Sequence, residues 1–289
     1  MRKHTNQKMK KRRTRKIRKA PGYKLLLAFT AVLFFSVMVL GNTYSWFTSD
    51  DTVVNHFEGL HLKAEITEEF SPELEWAPGA QVKKVVRVQN TGEIPAFVRV
   101  SLYEYLLTFK VDVTDQTGNG NLATVPAPVS PIVNDKDVTT WTPAANSGGT
   151  YEHQQNYFIA DQAITPDQKT GQEMFQYQGT EREAAALKWL TLNFPENVYT
   201  IKPANATIDY WLYRDGYFYY SKLLNPGETS APVLNSVTLS ASTPNKYKGA
   251  LYRLVPVMDA HDATLPLLDA WKVGTTGELY EMYEGHLSS

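Results

Sequence analysis

The chain has 289 residues, a formal net charge of −1 and no cysteine, which excludes disulfides, thiolate nucleophiles and cysteine-based metal sites. Twelve of its 29 basic residues lie in residues 1–24, whereas all 30 acidic residues lie from Asp50 onward. The chain beyond Ser45 therefore carries 17 basic and 30 acidic residues. This acidic body argues against nucleic-acid binding, which needs clustered lysine and arginine.

The N-terminus predicts a secretory signal peptide over residues 1–45. A basic n-region, residues 1–24, precedes an apolar h-region, residues 25–40, and this order is typical of exported chains. We therefore expect a secreted protein of the extracellular matrix or cell surface, which meets the membrane only during export. The absence of cysteine in an exported chain favours a Gram-positive bacterium over a eukaryotic secretory route.

Signal-peptidase cleavage is predicted between Ser45 and Trp46. Thr43 and Ser45 supply the small side chains that the peptidase needs at the third and first positions before its cut. An uncleaved N-terminal anchor is the alternative. The 16 residues of the h-region would span roughly 24 Å as a helix, which is less than a bilayer core of about 30 Å, and this favours cleavage.

Residues 46–289 predict a single all-β sandwich domain. Short segments with alternating apolar residues are separated by Pro-Gly, Asn-Thr-Gly and Asp-Gly turn signals. Lys83–Gln89 and Ala96–Tyr105 are predicted to be antiparallel neighbours joined by a loop that ends at Pro95. Many short strands with turns between them favour an antiparallel sandwich.

A long polar insertion interrupts the strand pattern near residues 112–190. Residues 112–178 are rich in Pro, Gly, Asn and Thr and have weak periodicity, so we expect little regular structure there, partly ordered by aromatic residues. Glu181–Leu190 predicts the best helix of the chain, because glutamates in its first turn precede an alanine run with apolar residues at helical spacing.

The C-terminal third contains the clearest hairpin signal. Asp215-Gly216 separates two aromatic-rich segments within Ile208–Leu223, and this dipeptide is typical of a type I′ turn. Two strands and two short helices are expected after the hairpin, at Val233–Leu239, Tyr247–Met258, Pro266–Val273 and Glu278–Leu287.

Aromatic residues crowd both faces of this predicted hairpin. One interpretation is an exposed face that stacks on a sugar or on a neighbouring subunit. The alternative is that the rings belong to the sandwich core and to a cross-strand aromatic ladder. The candidate exposed face consists of Tyr210, Trp211, Tyr213, Tyr217 and Tyr219.

The sequence predicts no catalytic, cofactor or metal site. The six histidines never lie two, three or four residues apart, so they form no zinc-type pair, and there is no Gly-x-Ser-x-Gly motif. His261 between Asp259 and Asp262 is the most metal-like cluster, but we interpret it as a solvated strand end.

Three segments of the chain contain short motifs whose order along the sequence is characteristic. Thr43–Leu62 places an aromatic-Phe pair and a polar spacer before an F-x-x-G-x-L strand, and Pro78–Val100 contains Pro-Gly, Lys-Val, Asn-Thr-Gly and Val-Arg-Val. With Asp215–Ser240, these segments resemble TasA/camelysin/BsaA-type biofilm matrix proteins, which are exported through the SipW-dependent (alternate signal-mediated) route. The resemblance implies a jelly-roll-like sandwich and a SipW-type signal peptidase as the export partner.

The resemblance also implies that the protein is not an enzyme, assembles with itself into extracellular fibres and meets other matrix proteins or polysaccharide. In the better-known relatives, the segment freed by cleavage adds as a strand to the next subunit, which here would be about Trp46–Gly59. A sandwich that lacks a strand leaves an unpaired edge that a neighbour can fill. The alternative is a tail followed by an ordinary intramolecular strand. The apolar residues of the donor segment are Trp46, Phe47, Val53, Val54 and Phe57.

Two rival functions belong to other classes. A cell-surface adhesin or glycan-binding module would use the candidate aromatic face. A secreted metalloprotease, a label once attached to camelysins, would need a zinc motif such as His-Glu-x-x-His, which this sequence does not contain.

Overall fold

A computed structural model describes residues 54–56, 62–70, 77–114, 116, 118–166, 175 and 186–288 of the chain. The predicted signal peptide and its cleavage site at Thr43, Ser45 and Trp46 lie outside the described residues, as do Phe47, Val53 and Phe57. In the part of the chain that is described, no helix is long and apolar enough to cross a membrane.

Within these residues the chain forms thirteen strands and three short α-helices. The strands are β1 Val54–His56, β2 Ala64–Phe70, β3 Gln81–Asn90, β4 Ala96–Phe109, β5 Thr124–Val125, β6 Thr150–His153, β7 Asn156–Ile164, β8 Leu190–Asn193, β9 Val198–Tyr199, β10 Trp211–Arg214, β11 Tyr217–Tyr220, β12 Leu234–Leu239 and β13 Leu251–Asp262. The α-helices are α1 Trp141–Ser147, α2 Pro266–Ala270 and α3 Glu278–Tyr283.

The strands form two sheets, and the predicted all-β sandwich is confirmed. The smaller sheet has the order β2-β3-β12-β8, and the larger has the order β1-β13-β4-β11-β10-β9, with β5 and β6 joined to it through β7. The pairs β1–β13 and β9–β10 are parallel, and the other strand pairs are antiparallel. The main hydrophobic core lies between the two sheets, where valines of β3 and β4 meet leucines of β12 and β13.

Strand β4 is the centre of the larger sheet. It pairs with β13 without interruption from Ala96, opposite Asp262, to Leu107, opposite Leu251. All of its residues except the half-buried Arg99 are buried. Such a strand needs cover on both faces, and it contributes side chains to three separate hydrophobic clusters.

The predicted pairing of Lys83–Gln89 with Ala96–Tyr105 is wrong, because β3 and β4 lie in different sheets. The chain crosses between the sheets after Asn90 instead of turning back in a hairpin. The buried Asn90 amide fixes this crossing, since its Nδ2 donates to the carbonyl oxygens of Ile94 and Leu224, both at 2.8 Å. Both strands have an apolar face, and these faces become buried against each other only when the strands lie in opposite layers.

The polar insertion has more regular structure than the sequence analysis predicts. Its residues 118–166 contain β5, β6, β7 and α1. Aromatic side chains form their core: Trp141 is fully buried and its Nε1 donates to the carbonyl of Asn134 at 2.9 Å, and the rings of Phe109 and Tyr151 stack at 5.6 Å. A few large rings thus order a segment whose periodicity is weak.

The predicted helix Glu181–Leu190 is wrong at its C-terminal end. Leu187–Trp189 forms a single 3-10 turn and Leu190 begins β8, while residues 181–185 lie outside the described residues. Leu190 pairs with Leu239 of β12, and both side chains are buried. Pairing with β12 and burial in the core therefore override the local helix propensity.

The turn, strands and helices predicted for the C-terminal third are confirmed, except that the strand predicted at Tyr247–Met258 begins at Leu251, after a 3-10 turn at Asn245–Tyr247. Asp215 and Gly216 have φ angles of 49° and 85°, as a type I′ turn requires, and they join β10 to β11. The expected later strands are β12 and β13, and the expected helices are α2 and α3. These helices pack on the outer side of the larger sheet, where Leu267 and Tyr283 are fully buried against Phe97.

Candidate functional site

The N-terminal strand β1 lies at an edge of the larger sheet. A tight hairpin cannot join parallel neighbours, so β1 is a separate segment whose partners on β13 lie 203 positions later in the sequence. Among the described residues, it pairs with three of the twelve residues of β13. The Cα partners are Val54 and Val257, Asn55 and Met258, and His56 and Asp259. Of the five predicted donor residues, Val54 is thus the one that the structure places.

The receiving strand is tied to its neighbour by an ion pair at the same position. Arg99 of β4 lies opposite Asp259, and its Nε and Nη2 donate to Asp259 Oδ2 at 2.9 and 2.7 Å. The guanidinium lies 3.9 Å from the ring centre of Tyr217 and 5.0 Å from that of Trp271. Cation–π contacts of this kind strengthen as water is excluded.

Electrostatics keep Arg99 charged in this setting. Burial alone would lower the pKa of Arg99, but Tyr219 and the Asp259 carboxylate outweigh it and raise that pKa. The Arg99 Nη1 also donates to the hydroxyl of Tyr219 at 3.3 Å. Arg99 therefore stays charged and links β4 to β13, the strand that pairs with β1.

The predicted exposed aromatic face is wrong for four of its five residues. Trp211 and Tyr213 belong to the core between the sheets, and Tyr210 and Tyr219 lie under the C-terminal helices. All four are buried, whereas Tyr217 is half-buried beneath Arg99. The reason is that both faces of the β10–β11 hairpin are covered. Its rings therefore belong to hydrophobic cores, as the alternative interpretation predicts.

The acidic cluster around His261 is divided between different partners. Asp259 bonds to Arg99, while the Nδ1 of His261 lies 2.8 Å from Asp262 Oδ1. The histidine is buried, so its interpretation as a solvated strand end is wrong. In the described ranges, no group of three or more histidine, aspartate or glutamate side chains could hold a metal ion.

Four buried tyrosines make the fold sensitive to high pH. Burial raises the pKa of Tyr220 to about 12, and it also raises the pKa values of Tyr210, Tyr219 and Tyr283. A tyrosine in the unfolded chain loses its proton near pH 10. The stability from these groups is therefore complete below about pH 10 and falls as pH rises from about 10 through 12.

We expect the free energy of unfolding to fall by about 2 kcal/mol between pH 9 and pH 12 because of Tyr220 alone. Urea titrations at several pH values, followed by far-ultraviolet circular dichroism, measure this dependence. In Tyr220→Phe, the free energy of unfolding should decrease less between pH 9 and pH 12. The variant should be less stable at pH 7, because the amide of Ala231 loses the hydroxyl that accepts its hydrogen bond at 3.0 Å. An equally steep fall in this variant would contradict the assignment.

Comparison of the chain with known protein families, with curated proteins and with solved structures found no match in any of the three.

Proposed function

We propose that the protein is an exported structural protein that self-assembles into extracellular fibres of a biofilm matrix by N-terminal donor-strand addition. The observation that carries this proposal is the parallel pairing of β1 with the edge of the larger sheet at β13. In the fibre, the strand beside β13 comes from the neighbouring subunit. The predicted export signal of residues 1–45 supports assembly outside a Gram-positive cell, with a SipW-type signal peptidase as the enzyme that frees the donor segment.

The register of β1 defines the rest of the donor contact. If the register between Val54 and Val257 continues toward the N-terminus, residues 46–53 run beside residues 249–256 of the receiving subunit. The contacts of β1 are the same within one chain or between two chains, so exchanging the strand costs little. Backbone hydrogen bonds supply affinity in such an added strand, and side chains supply specificity.

The pairing is tested by a disulfide across the proposed contact. The chain has no cysteine, so Val54→Cys and Val257→Cys introduce the only thiols. Cα partners on neighbouring strands lie within the range that a disulfide spans. The test mixes two single variants, one with each cysteine, assembles them under oxidising conditions and analyses them by non-reducing electrophoresis. Donor-strand addition should give covalent dimers that contain one chain of each kind.

Two controls separate this result from random cross-linking. Either single variant assembled by itself should give few dimers, because its thiols do not meet partner thiols. A chain that begins at residue 54 should fold but should form no fibres, since it lacks the donor residues 46–53. The proposal would be overturned if the mixed cysteine variants form fibres without a disulfide between chains. It would also be overturned if the chain that begins at residue 54 forms normal fibres.

A further inference from the structure

A cleft of about 500 Å³ lies beside the β9–β10–β11 part of the larger sheet, away from the β1 edge in strand order. Three loops and one strand end form it: the residues before β9, before β10 and before β12, and the end of β11. The lining residues are Asn197, Thr207, Ile208, Asp209, Tyr220, Thr229, Ser230 and Ala231.

Asn197 has a hydrogen-bonding group that its own chain does not use. Its side chain lines the cleft and is only 8% exposed, and its Nδ2 has no hydrogen-bond partner among the described residues. Leaving a buried amide donor unpaired costs about 1–3 kcal/mol. Natural proteins retain such groups where a ligand or water completes the bonding.

Tyr220 and Asp209 form a hydroxyl–carboxylate pair at the cleft. The hydroxyl of Tyr220 accepts the amide hydrogen of Ala231 at 3.0 Å and donates its own proton to the Asp209 carboxylate. Asp209 is exposed, and Lys222 Nζ lies 3.8 Å from its Oδ2. An ionised carboxylate has about four acceptor sites, so Asp209 can still accept from the hydroxyls of a ligand.

The chemistry of the lining selects among ligand classes. No lysine or arginine lines the cleft, and the nearby Lys222 is shared between the carboxylates of Asp209 and Glu228, so the lining offers no cationic group to an anion such as phosphate. A divalent cation prefers several carboxylate or carbonyl oxygens, whereas one carboxylate lines the cleft. Hydroxyl, amide and carboxylate groups beside the apolar Ile208 suit a neutral ligand that has many hydroxyls and an apolar C–H face.

We propose that this cleft binds a saccharide unit, with Asn197 as a donor and with Asp209, held by Tyr220, as the acceptor of sugar hydroxyls. The site is distinct from the β1 edge, so fibre assembly can fail or succeed independently of it. The proposal replaces the aromatic face with a polar cleft as the glycan site of this chain.

The test titrates D-glucose, D-galactose and N-acetyl-D-glucosamine into the full-length protein. Tryptophan fluorescence can report binding, because the indole Nε1 of Trp211 donates to the carbonyl of the lining residue Ala231 at 3.0 Å. At least one sugar should bind, and Asn197→Ala and Asp209→Ala should each weaken its binding at least tenfold. Asn205→Ala is the matched control, since Asn205 is exposed on the same loop outside the lining, and it should bind as the wild type does.

If Asn197→Ala does not fold, Asp209→Ala still tests the proposal, because Asp209 is exposed and its replacement should not disturb the fold. The absence of binding by all three sugars would overturn the proposal, as would equal binding by wild type and Asp209→Ala. Free lysine serves as a cationic probe. Binding of lysine in place of the sugars, with the same dependence on Asp209, would also overturn it by assigning the carboxylate to an amine ligand.

Discussion

Replacement of Gly149 by alanine should lower the free energy of unfolding by about 3 kcal/mol, because the added methyl group has no room. A Cβ at this position would lie 2.0 Å from the carbonyl oxygen of Pro131 and 3.0 Å from the Cα of Ala144. Both are backbone atoms, so a rotamer change in a neighbouring side chain cannot relieve the clash.

The backbone around Gly149 is also held on both sides. Its amide donates to the carbonyl of Ala144 in α1 at 2.8 Å, and its carbonyl accepts from the amide of Ala160 of β7 at 2.9 Å. Moving Gly149 away from Pro131 would therefore break contacts between α1 and β7. Chemical denaturation followed by circular dichroism measures the loss of stability.

Gly285→Ala is the matched control for this variant. A Cβ at Gly285 would meet no heavy atom within 4 Å, so its stability should stay within about 0.5 kcal/mol of the wild type. Equal stabilities of the two variants would show that the backbone near Pro131 can yield, against the packing described here.

Replacement of Arg99 by methionine should lower stability by about 3 kcal/mol, because it leaves the Asp259 carboxylate partly buried without its cation. The side chains of Arg99 and Asp259 are 11% and 25% exposed. The variant also loses the contacts of the guanidinium with the rings of Tyr217 and Trp271. Methionine keeps an unbranched apolar stem in place of the arginine methylenes, so the loss reports mainly on the missing guanidinium.

A double-mutant cycle separates the ion pair from other effects. Asp259→Asn in the Arg99→Met background should recover part of the lost stability, because the uncompensated charge is removed. Lys202→Met tests an ion pair in a more exposed place, between Lys202 Nζ and Glu281 Oε2 at 3.0 Å, and it should cost less than about 1 kcal/mol. An Arg99→Met variant as stable as Lys202→Met would contradict the role given to the buried pair.

Local signals in the sequence predict the C-terminal third of the fold well. The Asp215-Gly216 turn fixes a hairpin between adjacent segments, and this information lies within a dozen residues. The short helices α2 and α3 are predicted from sequence patterns that also extend over only a few residues. Turn chemistry and helical periodicity are local properties, so they can be recognised before any tertiary contact is known.

Tertiary contacts decide the elements that the sequence analysis predicts wrongly. The pattern of β3 and β4 shows two strands, but the layer of each depends on burial against partners far along the chain. Leu190 enters a strand because β12 pairs with it, against a local helix signal. The ordered insertion depends on Trp141 and the rings around it, which no periodicity reveals.

The candidate site is still less visible in the sequence. The pairing of Val54 with Val257 joins segments from opposite ends of the chain and leaves no trace in local composition. The cleft combines Asn197 with residues of two later loops, and each residue is ordinary in its own segment. Aromatic crowding in the hairpin is visible, but the sequence does not show that α2 and α3 cover one of its faces.

The long ladder between β4 and β13 has a kinetic consequence. The central strand of the larger sheet finds its longest partner about 150 residues later, close to the C-terminus. A ribosome must therefore complete nearly the whole polypeptide before the middle of this sheet can close. Topologies with such distant pairings fold in milliseconds to seconds, which leaves a newly made chain open to chaperones for an extended interval.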